Sequence, residues 1–140
     1  MKEDLPILVI GIGLIMNHLG EILIDQRKKD KSMGGMWEFP GGKKEEGEST
    51  ESTVIREIQE ELGVHVEIQE KLIEFEYSYT DMNIHFAVYF CKLIAGKPKP
   101  FESLQIKWVH PKDLVNYDFP AANKIIIEEL NNYLFVDKSI

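Results

Sequence analysis

Gly42-Lys-Lys-Glu-Glu-Gly-Glu48-Ser-Thr-Glu-Ser-Thr-Val-Ile-Arg56-Glu57-Ile58-Gln59-Glu60-Glu61-Leu62-Gly63-Val64 is the stretch from which the rest of this chain is best read. Ser49 to Leu62 predicts one helix. Ser49 or Thr50 suits its N-cap, and Glu51 in the first turn suits the positive end of the helix dipole. Gly63 follows as a left-handed C-terminal stop. At about 100° per residue, with Glu57 at zero, Glu60 falls near 300° and Glu61 near 40°. The three carboxylates share one face. Ile58, Leu62 and Ile55 fall at roughly 100°, 140° and 160°, so an apolar stripe anchors the helix while the acidic edge faces a cleft.

That acidic edge breaks two local rules. Like charges three and four residues apart repel, and carboxylates near a helix C-terminus oppose the dipole. A hard divalent cation reverses the sign of both effects, because Mg2+ takes oxygen ligands and bridges carboxylates to phosphate oxygens. The segment before the helix, Trp37-Glu-Phe-Pro-Gly-Gly42, reads as a site loop. Pro40 fixes its backbone and the two glycines let main chain approach a ligand closely. A carbonyl exposed at such a turn is a good hard-metal ligand, and the helix N-terminus beside it favours phosphate.

Taken whole, the stretch matches the pattern G-x5-E-x7-R-E-U-x-E-E-x-G-U at every specified position, with U a bulky aliphatic residue. A chance match in a chain of ordinary composition is on the order of one in ten million. In this the chain resembles the Nudix hydrolases. The resemblance implies Mg2+-dependent cleavage of a nucleoside diphosphate linked to another group, with Mn2+ able to substitute. It also implies an α/β/α sandwich with a mixed central sheet, the box helix and a C-terminal helix.

The resemblance covers nearly the whole chain. Gly20-Glu-Ile-Leu-Ile-Asp-Gln-Arg27, Gly35-Met-Trp-Glu-Phe-Pro-Gly-Gly-Lys43 and Asp118-Phe-Pro-Ala-Ala-Asn123 together look like the MutT branch of that family. By that resemblance Asn123 falls on the residue that hydrogen-bonds the purine edge, Phe39 on a base-pocket residue and Arg27 on a phosphate-contacting arginine. Gly41 falls on the carbonyl metal ligand, beside Glu57, Glu60 and Glu61. Glu102, six residues before Trp108, falls on the loop carboxylate that helps hold the metals. Glu57 is the first choice as general base with Arg56 orienting it, and Glu102 is the alternative base. Gly42, Glu48 and Gly63 complete the motif as structural positions.

The residues themselves leave some of these roles open. Asn123 offers a donor and an acceptor, as reading a base edge requires, but a first-turn Asn also suits capping. Phe39 suits a core as well as a stacking platform, and Arg27 begins a solvated basic run with Lys28, Lys29 and Lys31. Between Tyr79 and His85 the chain reads Thr-Asp-Met-Asn-Ile, with no arginine where the MutT branch places further base contacts. His85 and His110 read as structural, since Mg2+ prefers oxygen ligands.

The expected reaction is hydrolysis of a nucleoside or deoxynucleoside triphosphate to monophosphate and pyrophosphate, with 8-oxo-dGTP as the leading substrate. The alternatives are CTP-like or dCTP-like pyrimidine nucleotides, ADP-ribose or a dinucleoside polyphosphate. The 140 residues predict one domain, with 44% hydrophobic and 29% charged residues as in an ordinary soluble globule. A net charge of -8 argues against a nucleic acid polymer as partner. It leaves room for a nucleotide, because metal-loaded carboxylates attract phosphate. No apolar run is long enough to span a bilayer, and a lone Cys91 in a strand-like run reads as buried filler in a cytoplasmic protein. Monomer and homodimer are equally open.

Along the chain, Ile7 to Met16 and Ile22 to Gln26 read as a hairpin about the Asn17-His-Leu-Gly20 turn. Val64 to Ile68, Leu72 to Tyr79, Ile84 to Leu93 and Gln105 to His110 read as strands. Asp118 to Leu134 reads as a closing helix with Ile126, Ile127, Leu130 and Leu134 on its apolar face.

Overall fold

A computed structural model describes residues 5–136. The elements run β1 (Ile7–Ile15), β2 (Ile22–Gln26), β3 (Trp37–Glu38), β4 (Gly41–Lys43), α1 (Thr50–Leu62), β5 (His65–Ser78), β6 (Asn83–Ala95), β7 (Gln105–Val109) and α2 (Ala121–Phe135). A mixed sheet has the order β4-β1-β6-β5, and a smaller antiparallel sheet the order β3-β2-β7. In the mixed sheet β1 runs parallel to β6 and antiparallel to β4.

Strand alternation sorts the core into two layers. Ile12, Leu14, Phe86, Val88 and Phe90 pack with Phe119, Ala122, Ile126 and Leu130 towards α2. Ile15, Ala87, Tyr89 and Cys91 pack with Val54, Ile58 and Leu62 of α1. The two helices therefore cover opposite faces of the mixed sheet, as the α/β/α sandwich requires. Gly11 and Gly13 of β1 let α1 sit close. A Cβ at Gly13 would lie 2.6 Å from Ile58 Cδ1, and one at Gly11 would lie 2.9 Å from Val54 Cγ2. Among the described residues no helix is long and apolar enough to cross a membrane.

Four expectations are corrected. The turn between β1 and β2 forms, with Asn17 Oδ1 accepting from the amides of Leu19 and Glu21, but the strands do not make a hairpin. They share one bridge, Met16 with Ile22, and then part. Both edges of β1 are already taken by β4 and β6, so β2 pairs instead with β3 and β7. Trp37 to Gly42 is not simply a loop, because β3 and β4 flank Phe39-Pro40 where the chain crosses from one sheet to the other. The two strands foreseen between Val64 and Tyr79 are one bulged strand, β5, with register irregularities between Ile68 and Ile73. Finally, α2 starts at Ala121 and not at Asp118, since Phe119 precedes Pro120 and is held out of the helical region.

Candidate active site

Two short segments fix the acidic centre. α1 begins as its sequence foretells: Ser49 Oγ accepts from Ser52 N at 3.1 Å, so Ser49 and not Thr50 is the cap. It ends at Gly63, whose φ of 70° is left-handed and whose N–H reaches Gln59 O at 2.9 Å. At the sheet crossing, β4 lies along β1 with Gly41 opposite Ile12 and Gly42 opposite Gly11. A Cβ at Gly41 would stand 2.1 Å from the backbone Gly11 O, which cannot give way, whereas one at Gly42 would stand 2.3 Å from Glu57 Cδ and would displace that carboxylate. The Glu57 carboxylate lies directly over the Gly42 backbone.

Arg56 holds that carboxylate in place. Its Nη1 donates to Glu57 Oε1 at 2.9 Å, while Nε and Nη2 donate to Glu48 Oε2 and Oε1 at 2.6 and 3.0 Å. Nη2 also donates to Lys43 O at 3.0 Å. The guanidinium thus ties the β4 backbone, the helix entrance and Glu57 into one unit, using its planar fork as a lysine cannot. Its hydrogen bonds draw the Glu48 carboxyl down to about 2. Glu48, foreseen as a structural position, is the buttress of Arg56.

Glu57, Glu61, Glu102 and Gly41 line one cavity of about 260 Å3, together with Asp25, Glu38, Arg27, Lys28, Lys31 and Ser103. Burial is the chief cause that raises the carboxyls of Glu57, Glu61 and Asp25 above their ordinary range. For Glu61 the neighbouring charges of Asp25 and Glu57 add to it, pushing it up to about 10. For Asp25 the charge and hydrogen bond of Glu38 follow burial. Glu60 stands apart. It shares the helix edge with Glu57, but its side chain is 53% exposed, lies outside that lining and turns to Arg56 at 3.4 Å.

Asp25 and Glu38 were not foreseen as site residues. They face each other across the β2–β3 pairing. Asp25 is 3% exposed, and its Oδ2 is buried with no hydrogen-bond partner. The signal lay in Ile-Leu-Ile-Asp: one carboxylate in a strand whose other central residues are fully buried, on the same side as Leu23.

A hard divalent cation fits this donor set. The chamber gathers carboxylates that burial pushes towards protonation, leaves a buried carboxylate oxygen without a partner, and presents oxygen donors rather than nitrogen or sulfur. Among the described residues no three acidic, His or Cys side chains form a ready-made cage. Mg2+ does not require one, since it keeps several of its waters and shares ligands with substrate phosphates.

A second cavity, of about 480 Å3, adjoins the first and shares Arg27, Glu38 and Gly41 with it. It is walled by Phe39, Asn123, Ile12, Phe86, Tyr79 and Met82, with Asp81 and Met33 also lining it. Phe39 is both core and wall. It is 3% exposed and stacks on Phe119 with centroids 5.2 Å apart at 26°. Asn123 is 8% exposed in the first turn of α2, and that helix has no side-chain cap hydrogen bond. Arg27 joins the two cavities, with Nη1 on Glu38 Oε2 at 3.0 Å and Nε on Ser32 O at 2.7 Å. His85 pairs with Glu74 and His110 caps the 3-10 helix Pro111–Asn116, both outside these cavities. Cys91 is buried, its thiol pushed up to about 12 by that burial.

Residues 11–129 match the NUDIX domain family. The chain is 38% identical over 126 residues to an 8-oxo-dGTP diphosphatase of Escherichia coli, covering 88% of this chain and 95% of that protein. It is 27% identical over 117 residues to a CTP pyrophosphohydrolase of the same organism, covering 84% and 87%. Its fold matches that of the MutT protein from Methanosarcina mazei Go1 with a TM-score of 0.83 and 23% identity, over 93% of this chain and 96% of that one. With Glu57 and Glu61 in the acidic chamber, Gly42 and the Arg56–Glu48 pair holding Glu57 and Gly63 ending the helix, and with the family match over residues 11–129, the chain is a member of the Nudix hydrolase family.

Proposed function

We propose that the protein hydrolyses nucleoside triphosphates to the monophosphate and pyrophosphate, with oxidised purine nucleotides of the 8-oxo-dGTP kind as its leading substrates. The observation that carries this reading is the continuity of the two cavities through Arg27, Glu38 and Gly41. An acidic chamber with a basic rim opens directly into a mostly apolar pocket with a buried asparagine. Phosphates bound with a cation in the first place the base in the second. The E. coli relative named for 8-oxo-dGTP supports the choice of base.

Glu57, Glu61, Glu102 and the Gly41 carbonyl would hold Mg2+ or Mn2+, with Asp25 adding a buried oxygen, and Glu60 would join them only by turning its side chain in from Arg56. Bound there, such a cation would supply charge to offset the phosphates and to make water more acidic. Glu57 takes the proton of the attacking water, its carboxylate held over Gly42 at the chamber wall. Arg56 keeps the accepting oxygen aimed, and Glu102 is the alternative acceptor. Arg27, Lys28 and Lys31 draw the phosphate chain to the rim. Asn123 pairs with the base edge while Phe39, braced by Phe119, closes one side of the pocket.

A pyrimidine triphosphate is the second reading. The Thr80–Asn83 connection contributes Asp81 and Met82 to the pocket wall and no arginine, and a CTP pyrophosphohydrolase is among the relatives. A panel of nucleotides with Mg2+, read as phosphate released after added pyrophosphatase, separates the two. Highest kcat/KM on 8-oxo-dGTP supports the first reading, and highest kcat/KM on CTP or dCTP the second. Turnover confined to ADP-ribose or dinucleoside polyphosphates would exclude both. We place the enzyme in the cytoplasm with no nucleic acid polymer as partner.

A further inference from the structure

Phe101 is exposed over 61% of its surface, yet it occupies a fixed place beside the site. A Cβ on Gly63 would lie 2.5 Å from Phe101 Cε2, so the ring rests on the face of Gly63 that lacks a side chain. The backbone around it is docked as well. Phe101 N donates to Glu61 O at 3.1 Å and Lys99 N donates to Leu62 O at 3.0 Å, using two carbonyls that the end of α1 leaves free. On the far side Leu104 N donates to Gln26 O at 2.9 Å. Glu102 lies between these tethers and lines the acidic chamber.

We propose that Phe101 is a positioning residue which, clamped on Gly63, sets where Glu102 enters the metal chamber. The box glycine then has two duties: its left-handed backbone ends α1, and its missing Cβ is the seat for the ring. The motif helix and the loop carboxylate, 41 positions apart from Glu61 to Glu102 (102 - 61 = 41), are registered against each other by this contact. Without the ring, the three backbone hydrogen bonds remain, but they hold the loop on either side of Glu102 and leave the carboxylate between them freer to shift. This inference rests on Glu102 acting at the metal site, as proposed above.

A double-mutant cycle tests it, with Phe101→Ala, Glu102→Gln and the pair compared with wild type. The readouts are Mn2+ affinity from the free-ion electron paramagnetic resonance signal, kcat with Mg2+, and Tm in chelator. Phe101→Ala is expected to weaken Mn2+ binding about five-fold and lower kcat about ten-fold, less than the roughly 10^2-fold that a full ångström of misplacement costs, because the backbone tethers limit the shift. In the Glu102→Gln background it should change either quantity by less than about two-fold, because the group it positions is gone. Phe101→Tyr, which keeps the ring, should restore both; it also stands in if Phe101→Ala fails to fold, and a Phe101→Tyr protein with impaired metal binding would count against the idea. A Phe101→Ala loss that multiplies unchanged onto a real Glu102→Gln loss would overturn the positioning role alone. Wild-type metal affinity and turnover in Glu102→Gln would overturn the role of Glu102 and this proposal with it.

Discussion

Gly42 is the residue whose side chain Glu57 replaces: the missing Cβ would stand 2.3 Å from the Glu57 carboxyl carbon and 2.4 Å from its Oε2. The motif glycine and the motif glutamate, on β4 and α1, are a single packing unit. Gly42→Ala therefore should push the carboxylate off its position without touching its chemistry. We expect kcat to fall about 10^2-fold, the scale of a one-ångström misplacement, with Tm nearly unchanged. Steady-state kinetics beside a thermal melt checks this; wild-type kcat in Gly42→Ala would show that the carboxylate has no fixed task.

Glu57→Gln removes the proton acceptor and one charge but keeps the shape. Turnover should drop at least about 10^3-fold while nucleotide binding, measured calorimetrically, stays within a few-fold of wild type. More than a tenth of wild-type kcat would rule Glu57 out as base and as essential ligand.

Stability of the metal-free protein should be highest in mild acid. Glu61 and Asp25 have folded-state carboxyls raised by burial, so the folded chain binds their protons more tightly than the unfolded chain does. Their contribution is full below the ordinary carboxylate range, about pH 4, and is lost as pH rises through neutrality towards about 10, where Glu61 ionises. Glu48 acts with the opposite sign. Drawn down to about 2 by Arg56, it stabilises above the ordinary range and loses that effect as pH falls to 2. In EDTA, Tm should decline from pH 5 to pH 9. Glu61→Gln should flatten the decline, and Mg2+ should reverse it at the alkaline end. A Tm that rises over that interval in EDTA would contradict the buried-carboxylate account.

Asn123→Ala should damage discrimination between bases more than chemistry. A base-edge pair is worth about 1–3 kcal/mol of selectivity, so the preference among four triphosphates should shrink ten-fold or more while kcat on the poorest changes little. Because α2 has no side-chain cap hydrogen bond, Tm should hold. A uniform loss on all four with a clear fall in Tm would mean that Asn123 serves the helix and not the base.

Box helix and sheet fared differently as readings of the sequence. α1 was legible from Ser49 to Gly63 because its signals are local: a hydroxyl cap, a 3.6-residue apolar period and a glycine stop. The cooperation of Arg56 with Glu48 was less so, since eight residues of separation (56 - 48 = 8) become a 2.6 Å contact only through the turn before the helix. The separation of β1 from β2 was not legible, because it depends on β4 and β6 occupying both edges of β1. Asp25 and Glu38 were missed for a related reason. Their closeness to Glu61 comes from where the second sheet meets α1, which no spacing within either strand records. Glu60 shows the converse: helical phase put it with Glu57 and Glu61, while a neighbouring arginine drew its side chain aside.

Water labelled with 18O tests most directly the central proposal, metal-dependent hydrolysis of the triphosphate to monophosphate and pyrophosphate, for which the resemblance to the MutT branch implies attack at the β-phosphorus. With Mg2+ and 8-oxo-dGTP, attack at that phosphorus places the label in pyrophosphate and leaves the monophosphate unlabelled, and EDTA abolishes the reaction. Label in the monophosphate, release of orthophosphate in place of pyrophosphate, or undiminished turnover in EDTA would contradict it.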